Sequence, residues 1–320
     1  MKIMKWKKLG KLFNPSEYEL FKEYIGYAQS PQVLVFDTFV RIYFSIRKQS
    51  ENEKFVSYIK YIDVSKDFKE IINMSKHEVI KLGELGCFDE HGIFPINILR
   101  HNNKIYAYTS GWARRVSVSV ETGIGLAISK DNGYTFQKEG NGPILTSSLN
   151  EPYLVVDGFV KVFNNIFHMW YIYGTDWKKT SKLEEPERTY KIGHAISEDG
   201  VDWKKDGKQI IQDKINLECQ ALPSVIKIDN RYHMFFAYRS TFGFRNNTEN
   251  AYRIGYAYSD DLINWIRDDD NVGIDVSNEG WDAEMISYPH VFKCDENIYM
   301  LYNGNSFGKN GFGIAKLEKI

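Results

Sequence analysis

The stretch that decides the fold is KIGHAISEDGVDWKKDG, residues 191–207, because the chain repeats its pattern. Related copies read IGLAISKDNGYTFQKEG at 124–140 and IGYAYSDDLINWIRDD at 254–269, and a shortened copy, FGIAKLEKI, spans 312–320. Each full copy has an alternating apolar run, then Ser-x-Asp and a turn, then an aromatic residue that opens a second short run. Alternation with a period of two predicts a β-hairpin rather than a helix.

A second repeat alternates with the first along the chain. It has an apolar strand, a polar turn such as Asn164-Asn165, and a second strand rich in Tyr, Phe and Met, which is typical of a β-hairpin. Its five copies span 28–47, 89–112, 156–177, 218–240 and 283–305. Two hairpins make one four-stranded blade, and a repeat of about 60 residues suits such a blade. We therefore predict an all-β fold, a five-bladed β-propeller, with residues 1–320 as one domain.

The two ends of the chain are predicted to meet. Trp6-Lys7-Lys8 resembles Trp203-Lys204-Lys205, which falls in the outer strand of the third blade, whereas the last blade stops after its third strand. We expect residues 4–13 to supply the missing outer strand beside 312–318, because an unpaired edge invites edge-to-edge association.

Composition excludes several classes of protein. Lys plus Arg number 41 against 42 Asp plus Glu, so the charge of the chain gives no case for nucleic acid or an anionic membrane. The three cysteines (Cys87, Cys219 and Cys294) lack metal-ligand spacing and suit a reducing compartment. The N-terminus has no apolar signal region, and no apolar run is long enough for insertion into a membrane. We expect a cytoplasmic protein without metal or cofactor.

The Ser-x-Asp turns are predicted to be structural. Ser129-Lys130-Asp131 and its counterparts at Asp199 and Asp261 match the Asp-box turn, in which the carboxylate accepts backbone N–H bonds. We expect these three aspartates to lie away from any ligand.

Candidate functional residues lie where the first strand of each blade starts and where the second strand ends, because these places converge on one funnel. The predicted carboxylates are Asp89, Glu90, Asp157, Glu218 and Glu284, and the predicted substrate-binding residues also include His91, Trp112, Arg114, Arg115, Trp177, Arg239 and Asn303. Glu90, Glu218 and Glu284 each precede a strand proline by five residues, whereas Asp157 directly precedes Gly158. We therefore expect the three glutamates to point into the funnel from equivalent places, with Asp157 deeper.

Crowded carboxylates raise one another's pKa, which prepares one group as acid and another as base for glycoside chemistry. With its blade repeat and its acids, nearly the whole chain resembles the five-bladed carbohydrate-active enzymes of glycoside hydrolase families 43, 32 and 62 and the mannoside phosphorylases of family 130. Glu218-Cys219 resembles the Glu-Cys motif of family 32, and Asp157 is similar in placement to the Asp of the Arg-Asp-Pro motif.

The resemblance implies an intracellular glycosidase acting on an oligosaccharide, with Glu218 as general acid, Asp89 or Glu90 as base or nucleophile, and Asp157 as the orienting carboxylate. One departure is that Gln29-Ser30-Pro31 stands where the hydrolases carry an Asp. The alternatives are a sugar phosphorylase or glycosyltransferase, in which Arg114, Arg115 and Arg239 would hold phosphate, and a sugar-binding propeller without catalysis.

Overall fold

The computed structural model describes residues 4–50, 54–179, 181 and 185–319. Strands make up most of the described chain, and helical segments are short: one α-helical turn at Asn305–Gly308 and 3-10 turns at Pro15–Glu17, Glu19–Phe21, Thr248–Asn250 and Asp269–Asn271. The all-β prediction is confirmed. Within the described ranges, no helix is both long enough and apolar enough to cross a membrane.

The strands form five antiparallel groups in chain order, which we call sheets I to V. Sheet I contains β2 (Gln29–Val35), β3 (Phe39–Gln49), β4 (Phe55–Ser65) and β5 (Ile71–Met74), and sheet II contains β6 (Gly92–His101), β7 (Lys104–Arg114), β8 (Val120–Ser129) and β9 (Gln137–Lys138). Sheet III contains β10 (Val155–Phe163), β11 (Ile166–Lys178), β12 (Glu187–Ser197) and β13 (Lys204–Lys205), and sheet IV contains β14 (Glu218–Ile228), β15 (Arg231–Ser240), β16 (Arg253–Ser259) and β17 (Ile266–Arg267). Sheet V contains β18 (Ser287–Cys294), β19 (Asn297–Asn303), β20 (Phe312–Lys319) and β1 (Lys5–Phe13), and a single parallel bridge between Ser57 and Gly92 joins sheets I and II.

Local turn chemistry explains the hairpins. Asn164 and Asn165 between β10 and β11 have φ angles of 51° and 63°, and a tight two-residue hairpin turn needs positive φ at both positions. Asn adopts this left-handed conformation more readily than most residues do. The hairpin predicted from these two residues is present.

The Ser-x-Asp turns also form as predicted. Asp131 accepts a hydrogen bond from the Thr135 backbone N–H at 2.9 Å, and Asp199 accepts one from the Val201 N–H at 2.8 Å. Asp261 accepts one from the Asn264 N–H at 2.7 Å. Each carboxylate therefore stabilises its own turn.

The N-terminal strand completes sheet V. β1 runs antiparallel to β20, with Trp6 opposite Leu317 and Phe13 opposite Phe312, which is the pairing predicted for residues 4–13. Trp6 and Phe13 are both buried. The edge that β20 would otherwise present to solvent is therefore paired within the chain.

Apolar clusters lie between each pair of consecutive sheets and also between sheet V and sheet I. Hydrogen bonds join the first strands in the same order. The donor and acceptor pairs are Asn97 Nδ2 to Gln32 Oε1 (3.0 Å), Val160 N to Asn97 Oδ1 (2.9 Å), Leu222 N to Asp157 Oδ2 (3.3 Å), Val291 N to Ser224 Oγ (2.9 Å) and Val33 N to His290 Nε2 (3.2 Å). Each first strand is therefore bonded to the first strand of the next sheet, and the fifth to the first.

Candidate functional site

A cavity of about 520 Å³ receives residues from all five first strands. Those residues are Gln29, Phe94, Asp157, Ala221 and Tyr288. The ends of second strands contribute Arg47, Trp112 and Arg239. The convergence predicted for starts of first strands and ends of second strands is therefore present.

A β-bulge in each first strand aims side chains at this cavity. The pairing register of every first strand shifts close to a Pro or Gly, at Pro31, Pro95, Gly158, Pro223 and Pro289. In sheets III and V the residue before that position, Asp157 or Tyr288, has a φ of 60° or 57° and lines the cavity. Bulges bend a strand and re-aim side chains, so the same local irregularity recurs around one site.

Asp157 is the carboxylate of this cavity among the described residues. Asp157 is 5% exposed. One oxygen of its carboxyl group accepts a hydrogen bond from the Leu222 N–H at 3.3 Å, and its backbone N–H donates to Ser110 Oγ at 3.0 Å. Burial raises the pKa of Asp157 to about 7, against the opposing effects of the Leu222 N–H and of Arg188. Near neutral pH this carboxyl group can hold a transferable proton, which is the requirement for a general acid.

Arg239 is a buried cation without a carboxylate partner in the described chain. It is 3% exposed, and its guanidinium lies 3.5 Å from the centre of the Phe244 ring, with Tyr190 and Tyr252 on other sides. Nη1 donates to the carbonyl oxygens of Ser240 and Thr241, whereas Nε has no hydrogen-bond partner. An unpaired buried cation is costly, so a bound anion would stabilise it.

Three more arginines, Arg47, Arg188 and Arg245, line the same cavity. Arg245 pairs with Glu187, and Arg188 donates to Ser119 Oγ at 3.2 Å. Four arginines and one carboxyl group thus line the cavity, which makes it suited to an anionic ligand. Across the described ranges no three His, Cys, Asp or Glu side chains gather in an arrangement that could hold a metal ion.

Of the residues predicted from the sequence, Trp112, Asp157 and Arg239 line the cavity. Two other predicted residues support Trp112 from outside. The His91 ring stacks on it with centroids 5.9 Å apart, and the Arg114 guanidinium lies 5.3 Å from its ring while donating to the Phe55 carbonyl. His91 and Arg114 therefore hold the indole in place without lining the cavity themselves.

Glu218 does not point into the cavity, so that prediction is corrected. Its carboxylate is fully buried against Arg267 of β17, the outermost strand of sheet IV, at 2.6 Å. It also accepts bonds from the Lys214 N–H at 3.0 Å, the Ile215 N–H at 3.2 Å and Gln220 Nε2 at 2.9 Å. A carboxylate with four such partners is an anchor for the start of β14 rather than a proton donor to a ligand.

Asp89 and Glu90 are also away from the cavity. Asp89 is fully buried and forms an ion pair with Lys138. It packs so closely on Gly111 that a Cβ added to this glycine would lie 2.4 Å from the Cβ of Asp89. Glu90 accepts a bond from the Gly86 N–H at 2.9 Å and lies 3.3 Å from His91. Neither carboxyl group lines the cavity.

The remaining predicted residues occupy other places. Arg115 is on the surface 3.5 Å from Glu121, Trp177 packs on the apolar cluster between sheets III and IV, and Glu284 is exposed. Asn303 is fully buried: its Oδ1 accepts from the Ser30 N–H, and its Nδ2 donates to the carbonyls of Ala28 and Gly311, each at 2.8 Å. Asn303 therefore fastens sheet V to sheet I.

The sequence reasoning left out Phe94, Tyr288, Arg188 and Arg245. The first two could have been found, because each directly precedes a strand proline, at Pro95 and Pro289. The glutamates chosen instead stand four residues earlier. The two arginines lie on or beside connecting loops, where no repeat marks a position.

Comparison with known proteins places the chain among relatives of its own length. It is 30% identical over 322 residues to the uncharacterized proteins MT1551 and Rv1502 of two Mycobacterium tuberculosis strains, CDC 1551 / Oshkosh and ATCC 25618 / H37Rv, covering 98% of this chain and 100% of each relative. The chain belongs to their family. No protein-family model matches it. Part of the chain is also similar to a β-1,2-mannobiose phosphorylase of Thermoanaerobacter sp. (strain X514), at 35% identity over 107 residues, 32% of this chain and 33% of that protein.

Solved structures share the fold of this family member. A glycoside hydrolase superposes with a TM-score of 0.74 at 15% identity, covering 98% of this chain and 92% of the other. A thermostable family-43 glycoside hydrolase gives a TM-score of 0.65 at 15% identity, covering 91% and 88%. The resemblance to family 43 and to mannoside phosphorylases that was drawn from the sequence is confirmed by these likenesses.

Proposed function

We propose that this protein is a carbohydrate-active enzyme that cleaves a glycosidic bond in the cavity, with Asp157 as the general acid. The observation that carries the proposal is the raised pKa of Asp157, about 7, at the one place where all five first strands converge. Protonated Asp157 donates its proton to the glycosidic oxygen as the C–O bond to the anomeric carbon breaks. Aromatic rings around it, such as Trp112 and Tyr288, offer flat faces to the sugar.

The acceptor of the glycosyl group distinguishes two versions of this function. Hydrolysis by the usual carboxylate pair needs a second carboxyl group about 5 to 9.5 Å from the first. Among the described residues that line the cavity, the only carboxyl group is that of Asp157. In that version a water molecule attacks the anomeric carbon as Asp157 protonates the leaving oxygen, and the proton that the water loses passes to the solvent, because no second described carboxyl group lines the cavity.

The second version is phosphorolysis, and the arginines favour it. Phosphate is anionic and nucleophilic without a base, and it would be bound by Arg239 and Arg188. One phosphate oxygen attacks the anomeric carbon as Asp157 protonates the leaving oxygen, which yields a glycosyl phosphate. The partial similarity to a β-1,2-mannobiose phosphorylase suggests a β-mannoside as the first substrate to try.

The test is a screen of β-1,2-mannobiose, other disaccharides and aryl glycosides, each with and without inorganic phosphate, with products followed by phosphorus NMR and reducing-sugar assay. We expect Asp157→Asn to lower turnover by about two to four orders of magnitude. Phosphorolysis predicts glycosyl phosphate as product and a higher KM for phosphate in Arg239→Gln. Phosphate-independent release of free sugar, unchanged in Arg239→Gln, would leave hydrolysis as the function. Full turnover in Asp157→Asn would refute both versions.

We also infer that sheets I to V are the five blades of one propeller domain spanning the chain. The support is the series of hydrogen bonds between first strands that returns from β18 to β2, together with the apolar cluster between sheets V and I. The free state of all three cysteines supports a cytoplasmic location. Small-angle scattering from the full chain tests the first inference, because an open arc of sheets is longer than a closed ring.

A further inference from the structure

Arg47 is a further cation of the cavity that, like Arg239 and Arg188, forms no salt bridge with a described residue. It lies on β3, its guanidinium is 4.2 Å from the centre of the Tyr27 ring, and no carboxylate of the described residues forms a salt bridge with it. Burial lowers the pKa of Arg47, with opposing effects from Tyr27 and Tyr288. Arginine nevertheless stays protonated in proteins, so this site keeps a positive charge.

The proposed reaction does not need this charge. Arg239 and Arg188 suffice for a phosphate, and Arg245 already has Glu187 as its partner. Arg47 comes from sheet I, whereas those three arginines come from sheets III and IV and the loop that follows β15. An unpaired buried guanidinium is costly, and Arg47 enters the cavity from a different sheet than the other three arginines. Its position therefore indicates a second anionic group in the ligand.

The surroundings of Arg47 indicate what kind of anion it binds. A single guanidinium held on the face of Tyr27 presents its planar fork in a fixed orientation, which matches the planar, singly charged carboxylate. Phe55 of β4 and Trp112 of β7 also line the cavity, and their rings offer flat faces for a sugar. We infer that the sugar bound in this cavity is acidic, and that Arg47 binds the carboxylate carried by its ring. The inference rests on the proposed function, because it names the substrate class of that site.

The experiment compares sugars that differ only in the carboxylate. Glucuronate, galacturonate and mannuronate are titrated into the full chain by calorimetry beside glucose, galactose and mannose. We expect at least one uronate to bind about tenfold or more tightly than its neutral counterpart, which is the range of a charge-assisted pair. Arg47→Gln should abolish that preference. Arg115→Gln is the control, since it removes a surface guanidinium that lies 3.5 Å from Glu121 and does not line the cavity, and it should keep the preference.

Two results would overturn the inference: neutral sugars that bind wild-type protein as tightly as every uronate, or a uronate preference that survives in Arg47→Gln. The first needs no variant, so it decides the matter even where Arg47→Gln fails to fold. Asp157→Asn separates this inference from the proposed function, because binding needs no proton transfer. Loss of turnover in Asp157→Asn without a uronate preference in wild type contradicts the acidic sugar alone, whereas a uronate preference with unimpaired turnover in Asp157→Asn contradicts the proposed reaction alone.

Discussion

Replacing Asp157 by Asn should make the folded protein more stable at neutral and alkaline pH, although it removes the proposed acid. The Asp157 carboxyl group is buried, has one backbone donor at 3.3 Å and forms no salt bridge with a described residue. Asn keeps an oxygen for that donor and tolerates the φ of 60° at this position. The substitution therefore removes the ionisation and little else.

The direction and size of the effect follow from the pKa of Asp157. Folding raises it from 3.8 to about 7, so the folded state binds the proton more tightly than the unfolded state does. The wild-type protein therefore has its full stability below about pH 4, loses it as the pH rises to 7, and stays at the lower level above that. At about 1.4 kcal/mol for each pKa unit, the upper limit of the loss is about 4 kcal/mol.

The assay is urea unfolding of wild type and Asp157→Asn at pH 5, 6, 7 and 8. The stability advantage of the variant should grow by about 2 to 3 kcal/mol between pH 5 and 8, mostly below pH 7. Asp199→Asn is the control of opposite sign, because the Asp202 and Val201 N–H groups lower the pKa of Asp199. That variant should lose about the same amount of stability at every pH from 5 to 8, because Asp199 titrates below about pH 4. A stability difference for Asp157→Asn that does not change with pH would show that this carboxyl is ionised at neutral pH, and the assignment of the acid would then fail.

Three further predictions concern residues outside the cavity. Deletion of residues 1–13 removes buried Trp6 and Phe13 and should lower the free energy of unfolding by more than about 3 kcal/mol. It also exposes the edge of β20, so the truncated protein should self-associate; a truncated protein that is monomeric in size-exclusion chromatography and as stable as the full chain would contradict the role of β1. Glu218→Gln removes one of the two carboxylates that pair with Arg267, leaving Asp269 at 2.9 Å, and should cost about 1 to 3 kcal/mol while ligand binding is retained; loss of turnover at unchanged stability would restore Glu218 as a catalytic candidate. Asp131→Ala removes turn hydrogen bonds worth about 1 kcal/mol each and should leave turnover per folded molecule intact, as measured at saturating substrate.

The strands and hairpins could be predicted because their signals are local and repeated. Alternation along each strand, Asn turns such as Asn164-Asn165 and the Ser-x-Asp turns each fix a hairpin within a few residues, and similar units recur along the chain. The pairing of the N-terminus with the last sheet was also predictable, because Trp6-Lys7-Lys8 repeats an outer strand already present at 203–205. None of these inferences required knowledge of how one sheet packs on another.

The residues of the site depend on where each first strand bends. The recurring proline marks the bend in the sequence, but it does not indicate which neighbouring side chain the bend directs into the cavity. Taking the residue five before each proline led to Glu218, which lies at the start of β14 and pairs with Arg267; the cavity-facing position is one or two residues before the proline. The difference of three or four residues spans about 10 to 13 Å of strand, which is enough to move a side chain out of a cavity of this size. Asp157 lines the cavity because it directly precedes Gly158, the residue that takes the place of the proline in sheet III. Asp157 directly precedes the bend of its strand, and Phe94 and Tyr288 occupy the same position in sheets II and V. This arrangement is what a buried acid requires, because burial among such neighbours raises its pKa and the bulge directs it towards the ligand.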